Sequence, residues 1–107
     1  MRNNVLLVGN MGTDAKITQF QSGAKVARFT FATDKGFKTE DGKVKKEVEW
    51  HKLFAWGNMA EMIESYGRKG KALTIQGRLV NRTYLAPSGQ PRKVTEIEVQ
   101  NIVNMHD

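Results

Sequence analysis

In the run Glu49-Trp50-His51-Lys52-Leu53-Phe54-Ala55-Trp56-Gly57, three aromatic rings and a lysine recur at every second position. An extended strand points successive side chains to opposite faces, so Trp50, Lys52, Phe54 and Trp56 share one face while Glu49, His51, Leu53 and Ala55 share the other. Flat rings around a cation suit a partner that offers π-faces and negative charge together, as unpaired nucleotides do. Burial in a core is the plain alternative for any single ring. A buried face rarely admits an unpaired lysine, however, so this face is expected to lie open.

The charge of the chain points the same way. Of 107 residues, 17 are lysine or arginine and 11 are aspartate or glutamate, giving a formal charge of +6, which suits a polyanionic partner. Lys25, Arg28, Lys35, Lys38, Lys43, Lys45, Lys46 and Lys52 fall in the stretch that leads into the aromatic run. The absence of cysteine excludes disulfides, thiolate zinc sites and a cysteine nucleophile. The apolar run Val5 to Val8 is far shorter than the roughly 20 residues of a membrane helix, and no export signal or membrane association is expected.

The same residues admit other chemistries. Glu47, Glu49 and His51 share a strand face at i, i+2 spacing and could begin a hard-cation site, as in a small metal-dependent nuclease. That face also bears Leu53 and Ala55, which reads His51 as a hydrogen-bonded interior or interface histidine, so neither a metal nor catalytic residues are expected. Gly36 and Gly42 fit turns rather than a phosphate-cradling loop, so no nucleotide cofactor is expected. A domain specialised for RNA, or one acting mainly through protein contacts, stays open as an alternative.

These residues need a frame, and one domain over 1–107 is expected to supply it. Val5 to Val8 reads as a buried strand, continued by Ala15 to Phe20 after a bend near Met11-Gly12. From Lys25 to Thr33, Ala27, Phe29 and Phe31 alternate with Arg28, Thr30 and Ala32 as a half-buried second strand. Asp41-Gly42 predicts a hairpin, making Lys35 to Lys46 a basic two-stranded arm that carries Phe37 and leads into strand three at Glu47 to Trp56. Asn58 to Lys69 has helical spacing, with Met59, Met62, Ile63 and Tyr66 on one inward stripe and Asn58 as cap. Leu73 to Tyr84 reads as strand four with a second arm that turns at Pro87-Ser88-Gly89, and Val94 to Val103 as strand five. This order predicts an all-β (mainly β) fold: a five-stranded, partly open OB-fold barrel with one helix between strands three and four.

The chain closely resembles the bacterial single-stranded DNA-binding proteins. Asn4-Val5-Leu6-Leu7-Val8-Gly9-Asn10 is similar to their opening strand, Val26-Ala27-Arg28-Phe29-Thr30-Phe31-Ala32-Thr33 to their second, and Glu49-Trp50-His51-Lys52 with Trp56-Gly57 to their third. Gly77-Arg78-Leu79 and Thr95-Glu96-Ile97-Glu98-Val99 match the last two. The resemblance implies non-enzymatic binding of single-stranded DNA without strong sequence preference, in replication, recombination or repair, in the cytoplasm and near the nucleoid. It places four base-stacking rings at Phe37, Trp50, Trp56 and Tyr84, two of them smaller than the tryptophan common in relatives. Lys52, Arg28, Lys35, Lys38, Arg78 and Arg82 alternate with or flank those rings and are candidates for phosphate contacts. The resemblance also implies a homotetramer, a dimer of dimers, with Val5, Leu7 and the vicinity of His51 at the contact between copies. The sequence departs from the family pattern in lacking a flexible tail with an acidic tip, so protein recruitment through such a tail is not expected.

Overall fold

The structure, a computed structural model, describes residues 3–106, apart from the side chains at positions 37, 38 and 104–106. The chain runs β1 (Val5–Met11), β2 (Lys16–Gln19), β3 (Lys25–Lys38), β4 (Val44–Trp56), α1 (Asn58–Tyr66), β5 (Ala72–Leu85) and β6 (Pro91–His106). The strands form one sheet in the order β1-β5-β6-β4-β3-β2, and an added β1–β3 pairing closes it into a barrel. β1 meets β3 at Asn10↔Ala32 and Met11↔Phe31, and β2 meets it further along at Lys16↔Arg28 to Gln19↔Lys25. The two short strands are thus halves of one bent strand, and the expected five-stranded barrel with its helix between strands three and four is what forms.

Alternation in sequence becomes the inside and outside of this barrel. Ala27, Phe29 and Phe31 of β3 are buried with Leu53 and Ala55 of β4, Leu73 and Ile75 of β5, and Ile97 and Val99 of β6. Ala60 and Ile63 of α1 plug one end of that core. Each large apolar side chain so buried contributes about 1.5–3 kcal/mol, which fixes the register of the strands and so decides which residues face out.

Three local expectations are corrected. β1 is half-buried, since Leu6 and Val8 are exposed while Val5 and Leu7 pack on the core. α1 stops at Tyr66, which is exposed, so the inward stripe is Ala60 and Ile63 with Met59 beside them rather than one reaching Tyr66. The cap residue is Gly57 instead of Asn58, and no side chain caps the helix. Gly57 has φ of 59°, a conformation that glycine adopts without a Cβ penalty, and its carbonyl accepts the Glu61 N–H at 3.0 Å. At the other end the Arg68 guanidinium donates to the carbonyls of Glu64 and Gly67, as the helix dipole prefers. Lys25 ties β3 to α1 through Glu64 at 2.8 Å, and that hydrogen bond raises the ammonium above its ordinary pKa.

Both predicted arms are present as hairpins. β3 and β4 stay paired out to Lys38↔Val44 around a turn at residues 39–43, and β5 and β6 pair out to Leu85↔Pro91 around one at 86–90.

Candidate nucleic-acid interface

β4 is the platform of the site. With Leu53 and Ala55 locked into the core, the alternate residues must face out, and Trp50 and Trp56 are 62% and 43% exposed. Lys52 lies between them, also exposed. Phe54 shares this face by parity but is not available to a partner. It is buried, and the Arg28 guanidinium lies over its ring, 5.4 Å from the centroid, a cation–π arrangement that holds the arginine on the face.

Beside this row lies a groove of about 510 Å³, lined by Arg28, Lys52 and Arg82 together with Thr13, Asp14, Lys16, Thr30 and Glu96. Glu96 sits at 5% exposure and bridges the two arginines: its Oε2 accepts from Arg28 Nη1 at 3.0 Å and its Oε1 from Arg82 Nε at 3.1 Å. Both arginine side chains remain nearly half exposed. Arg82 also reaches over Tyr84, 5.9 Å from the ring centroid, so a ring on the second arm is coupled to the groove. A second, smaller recess joins Trp50 and Lys52 to Leu79 and Val94. The surface is therefore continuous from Trp50 through Lys52 to Arg82.

Two contacts orient the indoles. A Cβ on Gly12 would lie 2.3 Å from Cζ3 of Trp50, so the β1–β2 connection packs directly on the ring, where only glycine fits. Gly12 itself is pinned by its N–H to the Thr30 carbonyl at 2.8 Å. At the other end of β4, Phe20 stacks on Trp56 with centroids 6.0 Å apart and planes at 28°. Phe20 stands just past β2, held by its N–H to the Ala24 carbonyl at 2.8 Å, and is itself exposed.

Of the residues expected from the sequence, the fold gathers Arg28, Lys52 and Arg82 in the groove, with Trp50 beside it and Tyr84 linked to it. Trp56 stands on the same face of β4 with Phe20. Lys35 is exposed on the first arm, opposite Glu47. Phe37 and Lys38 pair through their backbones in that arm, and their side chains lie outside the described residues. Arg78 does not line the groove; its Nε donates to Glu98 at 2.7 Å. His51 is half-buried, with Nε2 2.9 Å from the Thr33 hydroxyl. Val5 and Leu7 turn inward. Among the described residues no three His, Asp or Glu side chains gather in a way that could hold a metal ion.

Sequence reasoning missed Glu96, Gly12 and Phe20. Glu96 sits in a regular polar alternation that reads as solvent-facing, and only the three-dimensional approach of β3 and β5 makes it a buried bridge. Gly12 reads as a bend and Phe20 as the end of a strand, since neither has a periodic partner in sequence.

The sequence and this geometry have counterparts among known proteins. The profile described as the Single-strand binding protein family matches residues 2–105. A Chlorobaculum tepidum protein named "Single-stranded DNA-binding protein 1" is 38% identical over 96 residues, which are 89% of this chain and 59% of that protein. A Bacteroides thetaiotaomicron protein named "Single-stranded DNA-binding protein" is 37% identical over 102 residues, 94% of this chain and 63% of its own. The chain thus spans about six-tenths of the length of these relatives. Among solved structures, "Plasmodium falciparum SSB complex with ssDNA" superposes with a TM-score of 0.87 at 28% identity, covering 100% of this chain and 96% of the other.

Proposed function

Since the chain belongs to the single-strand binding protein family, we propose that it binds single-stranded DNA with little regard to sequence, stacking bases on exposed rings while cations take the phosphates. The observation that carries this reading is the outward row of β4, with Trp50 and Trp56 exposed on either side of Lys52 and beside a groove holding Arg28 and Arg82. Stacking is sequence-tolerant because every base has a π-face, and duplex DNA hides those faces, so single strands are preferred. Binding is stoichiometric, no bond is broken, and no cofactor takes part. Tyr84 and Phe37 extend the stacking surface onto the two arms, and Lys35, Lys38 and Arg78 add phosphate contacts outside the groove.

Copies of the chain associate, in this reading, as a dimer of dimers. Val5 to Gly9 are paired to β5 on one side, while only Asn10 and Met11 reach β3, which leaves a main-chain edge beside exposed Leu6 and Val8. An edge of that kind is a template for strand pairing with a second copy. Val5 and Leu7 support it from the inside rather than touching the partner, and His51 contributes through the strand it helps to order. The protein works where replication, recombination and repair expose single strands, at the bacterial nucleoid in the cytoplasm.

Titration with oligothymidine, following indole emission at several salt concentrations, tests the proposal. Strong quenching and an affinity that falls as salt rises are expected, because cations displace condensed counterions from phosphates. Unchanged emission, or equal affinity for duplex, would remove the basis for it.

A further inference from the structure

A buried carboxylate in the middle of a surface built for a polyanion calls for a reason. By charge alone Glu96 repels the phosphates that its neighbours attract. Nor does it serve to solvate the arginines, since both side chains are nearly half exposed and need no counter-ion for burial. Desolvating a carboxylate is costly, and a buried ion pair often stabilises a fold less than an apolar substitute would. What Glu96 does supply is geometry. It receives one nitrogen from each arginine, Arg28 by Nη1 from β3 and Arg82 by Nε from β5. Two like charges from different strands are thereby held on one carboxylate. Each guanidinium carries five N–H donors and gives one to Glu96, so both keep donors for a ligand. Phe54 beneath Arg28 and Tyr84 beneath Arg82 limit the remaining freedom of each planar group.

We propose that Glu96 is a positioning residue that builds a two-arginine cradle for one phosphodiester group of the bound strand, with Lys52 and Lys16 on its walls. The assignment rests on the single-strand binding reading and sharpens it, because it names where in the groove a phosphate is fixed. Charge-assisted bonds from planar guanidiniums are directional, so their worth depends on being aimed in advance.

The test uses the full chain and an oligothymidine of fixed length. Glu96→Gln removes a negative charge while keeping shape. If Glu96 acts only as a charge, the variant binds more tightly than the parent, with an equal or steeper salt dependence. If it positions the arginines, binding weakens by roughly tenfold despite the loss of a repelling negative charge. The slope of log K against log salt then becomes shallower by about 0.7 for each phosphate that the variant no longer neutralises. Tighter binding with an unreduced slope overturns the inference. Arg82→Lys guards against a Glu96 variant that does not fold, since it keeps the net charge at a half-exposed site but cannot offer the Nε bond. Several-fold weaker binding is expected there, and an unchanged affinity would overturn the inference equally. The parent protein is the control that separates the two levels: if it fails to bind oligothymidine, the proposed function falls, whereas a binding parent with a tighter Glu96→Gln variant defeats only the cradle.

Discussion

The groove and the β3–β4 arm carry the same sign of charge by different means. In the groove, Arg28 and Arg82 are fixed by Glu96 and by the rings of Phe54 and Tyr84. On the arm, Lys45 and Lys46 stand exposed on β4 and Lys43 in the turn before it. A fixed cation can read the position of a phosphate. A solvated one attracts the strand from a distance, within a screening length of about 10 Å at 0.1 M salt. The contrast assigns geometry to the barrel and capture to the arm.

The largest expected effect tests the barrel side of this contrast. Trp50→Ala should cost about 1–3 kcal/mol of oligothymidine affinity, or roughly five- to 150-fold, because one stacking ring is removed. Gly12→Ala, which touches no nucleotide, should weaken binding in the same direction, since its Cβ would overlap the Trp50 ring and turn it from its seat. Phe20→Ala should do less, because Trp56 keeps its place on β4 without the stacked partner. A Trp50→Ala variant that binds like the parent would move the stacking surface elsewhere.

A middle-sized effect tests the arm. Changing Lys43, Lys45 and Lys46 together to glutamine should slow association and lower the salt slope by up to about 2, at roughly 0.7 for each phosphate left unneutralised. The affinity gap to the parent should close as salt rises, whereas the Trp50→Ala gap persists, since stacking is not screened. Stopped-flow fluorescence at low and high salt reads both quantities. A deficit that survives high salt would mean the arm also fixes phosphates, and the contrast would dissolve.

How much of this was legible beforehand follows from which forces act locally. The period-two burial of Ala27, Phe29 and Phe31, and of Leu53 and Ala55, is a local signal, so strand identity and the open face of Trp50, Lys52 and Trp56 could be read directly. The same parity placed Phe54 on that face but could not reveal Arg28 lying over it. The inward stripe drawn to Tyr66 failed because α1 ends there at Gly67, and the cap was misplaced because Gly57 supplies it through backbone conformation rather than a side chain. Val5 to Val8 reads as uniformly buried, since four apolar residues in a row have no parity; pairing with β5 alone leaves Leu6 and Val8 outside. Glu96 needed the closed barrel, because its partners come from positions 68 and 14 residues away along the chain.

The smallest effect concerns how the arm keeps its shape. At its tip the Thr39 hydroxyl donates to the Asp41 carboxylate, and the Lys43 N–H adds a second bond to the same oxygen at 3.2 Å. Chiefly through the threonine bond, the carboxyl is held below its ordinary pKa. A depressed carboxylate pKa means that the folded tip binds its proton less readily than the open chain does. Its contribution is therefore complete above the ordinary carboxylate range and is lost only as pH falls through the lowered value. The Lys43 amide should show this as a shift in its NMR resonance and faster hydrogen exchange at the acid end, with the barrel amides of β4 unmoved. In Asp41→Asn the acid transition at Lys43 should vanish, because the side chain that accepts the Lys43 N–H no longer titrates. If Lys43 in that variant still follows pH as the parent does, the tip is ordered by the Thr39 and Lys43 backbone pairing alone, and the arm's form owes nothing to the Asp41 clasp.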